Sequence, residues 1–300
     1  GFDSITGTAM VLLGAGAGFG GAFLNPFTIG IAQGIADLPL FSGIGYRLIC
    51  YATLTLTTII YVYRYASKIQ KQPELSPMFE EDKIKRGNFD INKLPEFTTR
   101  HKLVMAILVI GMAILGYGIV KLGFYISELS AMFIIIGVSI GLAGGLSLNK
   151  IADEFIAGAQ AMVFGAMMLG FARAIMVVMN DGGIMDSVIY GLANLVKGLP
   201  PALSAVGMFI VHSFINILIP SGSGQAAPIM TPMADVVGIT RQTAVLAFQF
   251  GDGFSNVISP TAGYFMAGIA IAGIKWEKWA KWMLPLFLIW STIGAIFVAI

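Results

Sequence analysis

One carboxylate and several small polar side chains interrupt a long apolar segment near the end of the chain. The break reads Gly251-Asp252-Gly253-Phe254-Ser255-Asn256 and stops at Ser259-Pro260. Serine and asparagine oxygens are hard ligands suited to Na⁺, and half-helix N-termini suit a carboxylate. An ionisable residue inside an apolar segment indicates a functional site. Asp252 is therefore a candidate Na⁺ ligand, proton carrier or counter-ion of a cationic substrate, the alternative being a cap for a half-helix that starts near Gly253.

The first apolar segment, 1–36, is interrupted by the same kind of sequence. Its break reads Gly16-Ala17-Gly18-Phe19-Gly20-Gly21 and stops at Asn25-Pro26, so the two prolines fall within one residue of register when the glycine motifs are aligned. Backbone that is not helical survives at membrane depth only where it lines a cavity or binds something. The pair predicts two broken membrane helices that share one site.

The segment 200–238 predicts a re-entrant hairpin, because no helix passes unbroken through Pro220-Ser221-Gly222-Ser223-Gly224-Gln225. The polar residues of the tip and of the two breaks form the candidate site. The predicted substrate-binding residues are Asn25, Thr28, Ser221, Gly222, Ser223, Gln225 and Asn256. The predicted coupling-ion residues are Asp252, Ser255, Ser259, Gly16 and Gly18. Na⁺ is predicted at Ser221, Ser223, Asp252 and Asn256.

Composition defines the class of protein that must position these residues. With 57% hydrophobic and only 11% charged residues, the chain is far more apolar than a soluble domain with about 25% charged residues. It predicts an all-α polytopic membrane protein in the plasma membrane, the inner membrane of a bacterium. Nucleic acid is excluded as a partner because the basic residues are concentrated in one loop.

That loop also sets the predicted orientation. The segment Arg64–Lys102 holds nine of the 18 lysines and arginines, so it is expected on the cytoplasmic side. Counting membrane crossings from this cytoplasmic loop predicts that the first broken helix runs from the inside to the outside and that the second runs from the outside to the inside. The two copies are therefore inverted repeats. The predicted parts are the end of the first repeat (1–65), a linker loop (66–101), scaffold helices (102–183), an interfacial helix (184–199), and a hairpin with a broken and a final helix (200–300).

The first repeat is incomplete in this sequence. Inverted repeats come in matched halves, so we expect roughly 130 residues or more, including a second hairpin, to precede residue 1 in the intact protein.

The three motifs together resemble the YfcC branch of the C4-dicarboxylate anaerobic carrier (DcuC-like) family. They are Leu24–Gln33, Ile219–Ala227 and Gly251–Asn256. The resemblance implies ion-transporter architecture, in which two hairpin tips and two broken helices hold the substrate and the coupling cation while a transport domain moves against a scaffold. It also implies a homodimer. Members of the family include dicarboxylate carriers and basic amino-acid antiporters, so both substrate classes stay open.

The sequence thus predicts a secondary active transporter of a small carboxylate-bearing solute, with alternating access and Na⁺ or H⁺ coupling, or exchange. A basic amino-acid antiporter is the first alternative. No enzymatic activity and no cofactor beyond the coupling ion are predicted. An intramembrane protease fits poorly, because position 249 is Gln where an aspartyl type needs Gly and no second membrane Asp faces Asp252; a Ser223–His212 dyad is the one serine alternative. An ion channel of this size would be expected to use symmetric subunits.

Overall fold

The computed structural model describes residues 2–87, 96–122, 124, 126–196, 198–220, 222 and 238–300. Within these residues the regular structure is helical. The helices are α1 (Ser4–Gly20), α2 (Ile31–Ile35), α3 (Ile44–Lys71), α4 (Phe79–Gly87), α5 (Thr99–Tyr117), α6 (Ile126–Ala143), α7 (Leu148–Asp181), α8 (Ile184–Val196), α9 (Pro201–Leu218), α10 (Arg241–Ser255), α11 (Gly263–Ile271) and α12 (Trp276–Ala299).

Four of these helices, α3, α5, α9 and α12, are long and apolar enough to cross a bilayer. This confirms the all-α polytopic class. The second arm of the predicted hairpin lies outside the described residues, so the re-entrant course of 200–238 stays a prediction.

The chain forms two compact units. One comprises Gly1–Ile84 with Met162–Ile300, and the other comprises Lys85–Ala161. Both broken segments, α3, α9 and α12 belong to the first unit. In the second unit α5 packs on α6, and Gly111 allows the contact, because a Cβ there would lie 2.6 Å from Ile136 Cγ1.

Contacts at both ends of the first unit show that its two broken segments run in opposite directions. At one end, Tyr65 near the end of α3 donates to the Asp3 carboxylate at the start of α1 (2.6 Å). At the other end, Arg241 at the start of α10 pairs with Asp37 (2.9 Å), which follows α2. α1 and α10 therefore enter the unit from opposite ends, as inverted repeats require.

Aromatic side chains fill the space behind α10. Phe250 and Phe254 stack with ring centroids 4.8 Å apart, and Phe209 of α9 meets both rings edge-on. Trp290 of α12 is fully buried against Phe254. These large apolar contacts hold α10 between α9 and α12.

The first part of the charged linker is structured, contrary to the flexible, solvated tether that its prolines and charges predict. α3 continues to Lys71, and α4 occupies Phe79–Gly87. Met78 is fully buried, Asp82 accepts a hydrogen bond from the backbone N–H of Ser4 (2.7 Å), and Lys278 donates to the carbonyl of Pro77 (2.7 Å). This part of the linker is docked on the starts of α1 and α12.

Asp3 is the centre of this docking, and its loss should be costly. Its carboxylate accepts hydrogen bonds from Ser76 Oγ (2.6 Å), Tyr65 Oη (2.6 Å) and the backbone N–H of Thr6 (2.9 Å). Burial raises the pKa of Asp3, but the hydrogen bonds from Ser76, Thr6 and Tyr65 outweigh it, so the net pKa lies below the ordinary value. A depressed folded-state pKa stabilises the fold above the unfolded pKa of about 3.9 and stops doing so as pH falls through the folded value.

We expect Asp3→Ala to destabilise the protein by about 3 kcal/mol at pH 7, since it removes a helix cap and the acceptor of two buried hydroxyls. The melting temperature of the purified protein measures this loss of stability. The difference in melting temperature between wild type and Asp3→Asn should become smaller as the pH falls from 5 to 3. The exposed-site control Asp153→Asn should melt like wild type over the same range. Equal melting of Asp3→Ala and wild type would contradict the docking.

Candidate functional site

The two helix breaks lie later in the chain than the glycine motifs predict. Gly16, Gly18 and Gly20 are all inside α1, and the break covers 21–25 before a π-helical turn at Pro26–Gly30. Gly251 and Gly253 are likewise inside α10, which ends at Ser255, and the second break covers 256–262. The prediction that these glycines are unwound is wrong. The prediction that both segments are broken is confirmed.

The glycines have a packing role instead. A Cβ at Gly253 would lie 2.4 Å from the Cα of Gly20, so α1 and α10 touch backbone to backbone where they cross. A Cβ at Gly251 would lie 2.4 Å from His212 Cβ on α9. Small residues permit such close approach between membrane helices. The crossing brings the C-terminal ends of α1 and α10 together from opposite directions.

Gln249 connects the two ends. Its Nε2 donates to the carbonyl of Phe19 in the last turn of α1 (2.6 Å), which also accepts from the backbone N–H of Ala22 (3.3 Å). The residue is fully buried, and its Oε1 has no hydrogen-bond partner among the described residues. The sequence interpretation used Gln249 only to exclude an aspartyl protease, although a polar residue in the middle of a membrane helix was itself a signal.

Asn216 of α9 organises the end of α10. Its Nδ2 lies 2.8 Å from Ser255 Oγ, 2.9 Å from Asn256 Oδ1 and 3.2 Å from the carbonyl of Asp252. Ser255 Oγ in turn donates to the carbonyl of Gly251 (2.5 Å). The sequence predicts a hydrogen-bonded packing role for Asn216, and the structure shows that its partners are predicted site residues.

Asp252 is fully buried in the last turn of α10. Its backbone carbonyl accepts from the N–H of Asn256 (3.3 Å), so the residue is inside a C-terminal turn and is no N-cap for a following helix. Oδ1 accepts a long hydrogen bond from Asn256 Nδ2 (3.4 Å). Oδ2 has no hydrogen-bond partner among the described residues. A buried carboxylate is far more stable when a proton or a cation neutralises it.

Two further predicted site residues reach the same carboxylate. A Cβ built on Gly222, at the hairpin tip, would lie 2.7 Å from Asp252 Oδ2 and 3.0 Å from the methyl group of Thr28. Thr28 lies in the π-helical turn that follows the first break and is buried, and its Oγ1 also has no hydrogen-bond partner among the described residues. Gly222 of the predicted hairpin tip therefore lies beside Asp252 and close to Thr28, which follows the first break.

The remaining predicted residues divide into three groups. Ser255 and Asn256 lie beside Asp252, as described above. Ser259 is in the second break, but its Oγ pairs with Thr261 Oγ1 (2.7 Å). Asn25 precedes the π-helical turn, where its carbonyl accepts from the N–H of Gly30 (3.1 Å). Ser221, Ser223 and Gln225 lie outside the described residues, as does the Ser223 half of the protease dyad.

The converging groups suit a small hard cation or a proton. Carboxylate, hydroxyl and amide oxygens of Asp252, Thr28 and Asn256 are the donor types that bind Na⁺, and a carboxylate alone can hold H⁺. Gly222 lets the backbone approach Oδ2, because a Cβ there would lie 2.7 Å from that oxygen.

These features define a multi-pass membrane protein with two antiparallel broken helices and an ionisable site where they meet. The chain belongs to the C4-dicarboxylate anaerobic carrier (DcuC) family, whose sequence profile matches residues 1–300. This confirms the resemblance drawn from the motifs. Membership and the apolar helices identify it as a protein of the inner membrane.

Two curated relatives are similar over nearly the whole chain. A protein of Escherichia coli (strain K12) named "Putative basic amino acid antiporter YfcC" is 34% identical over 99% of this chain and 62% of its own length. An "Uncharacterized protein" of Haemophilus influenzae (strain Rd) is 30% identical over 100% of this chain and 60% of its own length. The chain thus spans about three fifths of both relatives. No solved structure matches it significantly.

Proposed function

We propose that this chain forms the larger part of a secondary active transporter of a small carboxylate-bearing solute, coupled to Na⁺ or H⁺ or working by exchange. The observation that carries the proposal is the buried Asp252 carboxylate, with one oxygen unpartnered among the described residues, where the two breaks meet. Among the described residues, this carboxylate oxygen contributes no hydrogen bond to the fold. Its use is to accept and release a charge.

The proposed route of coupling follows from that charge. With Asp252 neutralised by Na⁺ or H⁺, the buried site no longer holds a net negative charge, and a substrate carboxylate can enter beside it. Release of the cation restores the repulsion and expels the substrate. Alternating access would then be movement of the predicted transport domain (1–65 with 200–300) relative to the predicted scaffold helices (102–183), with a homodimer as the expected assembly.

The family description supports a C4-dicarboxylate as the substrate. The second candidate is exchange of basic amino acids, supported by the name of the Escherichia coli relative and by the same carboxylate. A guanidinium or ammonium group could pair directly with Asp252 and would make a coupling ion unnecessary. Neither candidate gives Asp252 a catalytic role, so we propose no enzymatic activity.

Thermal stabilisation of the intact purified protein separates these candidates. A ligand at 100 times its Kd stabilises the folded state by about 2.7 kcal/mol. We expect succinate to raise the melting temperature in Na⁺ but not in choline at pH 8, and arginine or ornithine to have no effect. A sodium-independent shift with arginine or ornithine would establish the exchanger instead. No shift with either class, or flux from liposomes that neither saturates nor is stimulated by substrate on the opposite side, would contradict a carrier of carboxylate-bearing solutes.

A further inference from the structure

A second buried charge lies at the opposite end of α10 from the region of Asp252. Arg47, in the first turn of α3, is 3% exposed, and its Nη1 has no hydrogen-bond partner among the described residues. Gln242, beside Arg47, and Asp252 are ten residues apart in one helix, which corresponds to about 15 Å along its axis. Arg47 is therefore separate from the site described above.

Arg241, at the same end of α10, is an arginine whose charge is paired. Arg241 Nη1 donates to Asp37 (2.9 Å) and to the carbonyl of Ala36 (2.8 Å), and its side chain is 42% exposed. Asp37, the nearby carboxylate, is thus already paired. Arg47 is far more buried than Arg241, yet no described carboxylate lies within ion-pair distance of it. A guanidinium removed from water without a counter-charge destabilises the fold.

A pocket of about 460 Å³ provides the room for a counter-charge. Arg47 lines it together with Gly43, Gln242 and Thr243 on one side and apolar residues such as Val298 on the other. The volume is in the range of small-molecule sites. Its composition, one buried cation with apolar walls, selects an anion that has an apolar body.

Other polar groups around the pocket add to the positive potential or are already engaged. Tyr46 Oη donates to the carbonyl of Phe297 (2.6 Å), and Gln242 Nε2 donates to Ser42 Oγ (2.6 Å). The N-terminus of the 28-residue α3 begins at Gly43 without a side-chain cap, so its free N–H groups contribute a partial positive charge at the same place. Arg47 provides the formal charge.

We propose that this pocket binds a small oxyanion, a carboxylate or a phosphate, whose charge Arg47 neutralises. The proposal does not depend on which solute is transported or on the role of Asp252. Two sources have this chemistry: a free carboxylate or phosphate in solution, and the phosphate headgroup of an anionic lipid.

The test compares Arg47→Met with Arg241→Gln in the intact protein, purified in a neutral detergent. The probes are phosphate and succinate as choline salts, and phosphatidylglycerol, each in sodium-free buffer at pH 8 against a choline chloride control of equal ionic strength, so that no succinate shift through the region of Asp252 is expected. We expect saturating probe to raise the melting temperature of wild type and of Arg241→Gln by about 3 °C or more, and to leave Arg47→Met unchanged. A shift with the soluble anions identifies a solution ligand, and a shift with phosphatidylglycerol alone identifies a lipid headgroup.

The melting temperature without any probe supplies an independent criterion. Since Met fills space without a charge, Arg47→Met should melt at or above the wild-type temperature in the absence of anion. The proposal is overturned if no probe gives a shift that Arg47→Met removes. It is also overturned if Arg47→Met and Asp235→Asn each lower the melting temperature by several degrees without probe, because Arg47 would then be the partner of Asp235, the one acidic residue of 223–237.

Discussion

Asp252→Asn will reduce ion-coupled transport by about 100-fold or more, equivalent to about 2.7 kcal/mol. Asparagine keeps the shape of the side chain and its hydrogen bond with Asn256, but it can neither take up a proton nor neutralise a cation. Initial rates of succinate or arginine uptake into proteoliposomes, driven by imposed Na⁺ or pH gradients, measure the effect. The matched control is Asp153→Asn, an exposed carboxylate of α7, which should transport at the wild-type rate.

The stability of the same variant should move in the opposite direction from its activity. Asp252 Oδ2 makes no hydrogen bond to a described residue, so removing its charge relieves a desolvation penalty and breaks little. We expect Asp252→Asn to melt at or above the wild-type temperature. A variant that is both inactive and markedly less stable would instead indicate that Asp252 supports the fold, and unimpaired coupled transport would refute its role outright.

Exchange assays distinguish the two roles that a lone membrane carboxylate can have. If Asp252 holds the coupling ion, Asp252→Asn should still exchange internal for external substrate without any ion gradient, while accumulation against a gradient is lost. If Asp252 is the counter-ion of a basic amino acid, exchange and stabilisation by arginine should both disappear. The first outcome would indicate an ion-coupled symporter, and the second would indicate an amino-acid antiporter.

The sequence points to a candidate site through local signals, and the assignment of these residues to a binding site stays a prediction. A carboxylate within an apolar segment, and paired glycine motifs followed by proline, need no knowledge of tertiary contacts to be noticed. The exact course of the backbone was not predictable in the same way. Gly251 and Gly253 indicate a break by propensity, but α10 continues through them because helix packing there depends on the absence of a side chain.

Three features depend on tertiary contacts and were missed for that reason. Met78 is buried although it lies in a charged segment that contains prolines, because the docked linker covers the starts of α1 and α12. Gln249 satisfies a carbonyl on another helix. Arg47 is near a helix end, where a sequence interpretation expects a long cationic side chain to reach water, and only the packing of α10 and α12 around it shows that it does not.

Gly253→Ala should be strongly disruptive, because Gly253 lies where the backbones of α1 and α10 are in contact. The added Cβ would lie 2.4 Å from the Cα and 3.1 Å from the N of Gly20, both backbone atoms that cannot rotate away. This steric clash is relieved only if α1 and α10 separate where they cross. The separation would also move Asp252 relative to Gly222. We expect a loss of about 3 kcal/mol or more in stability, at the upper end of overpacking effects, and loss of transport.

The matched control uses the same substitution in the first broken segment. A methyl group added at Gly14, also within α1, would have nothing within 4 Å, so Gly14→Ala gains helix propensity of up to about 1 kcal/mol without a clash. Melting temperature and the monodisperse fraction after purification should fall for Gly253→Ala and hold or rise for Gly14→Ala. If both variants melt like wild type, the helices do not cross backbone to backbone. Since that crossing places the two breaks at one depth, the shared site would then lose its geometric basis.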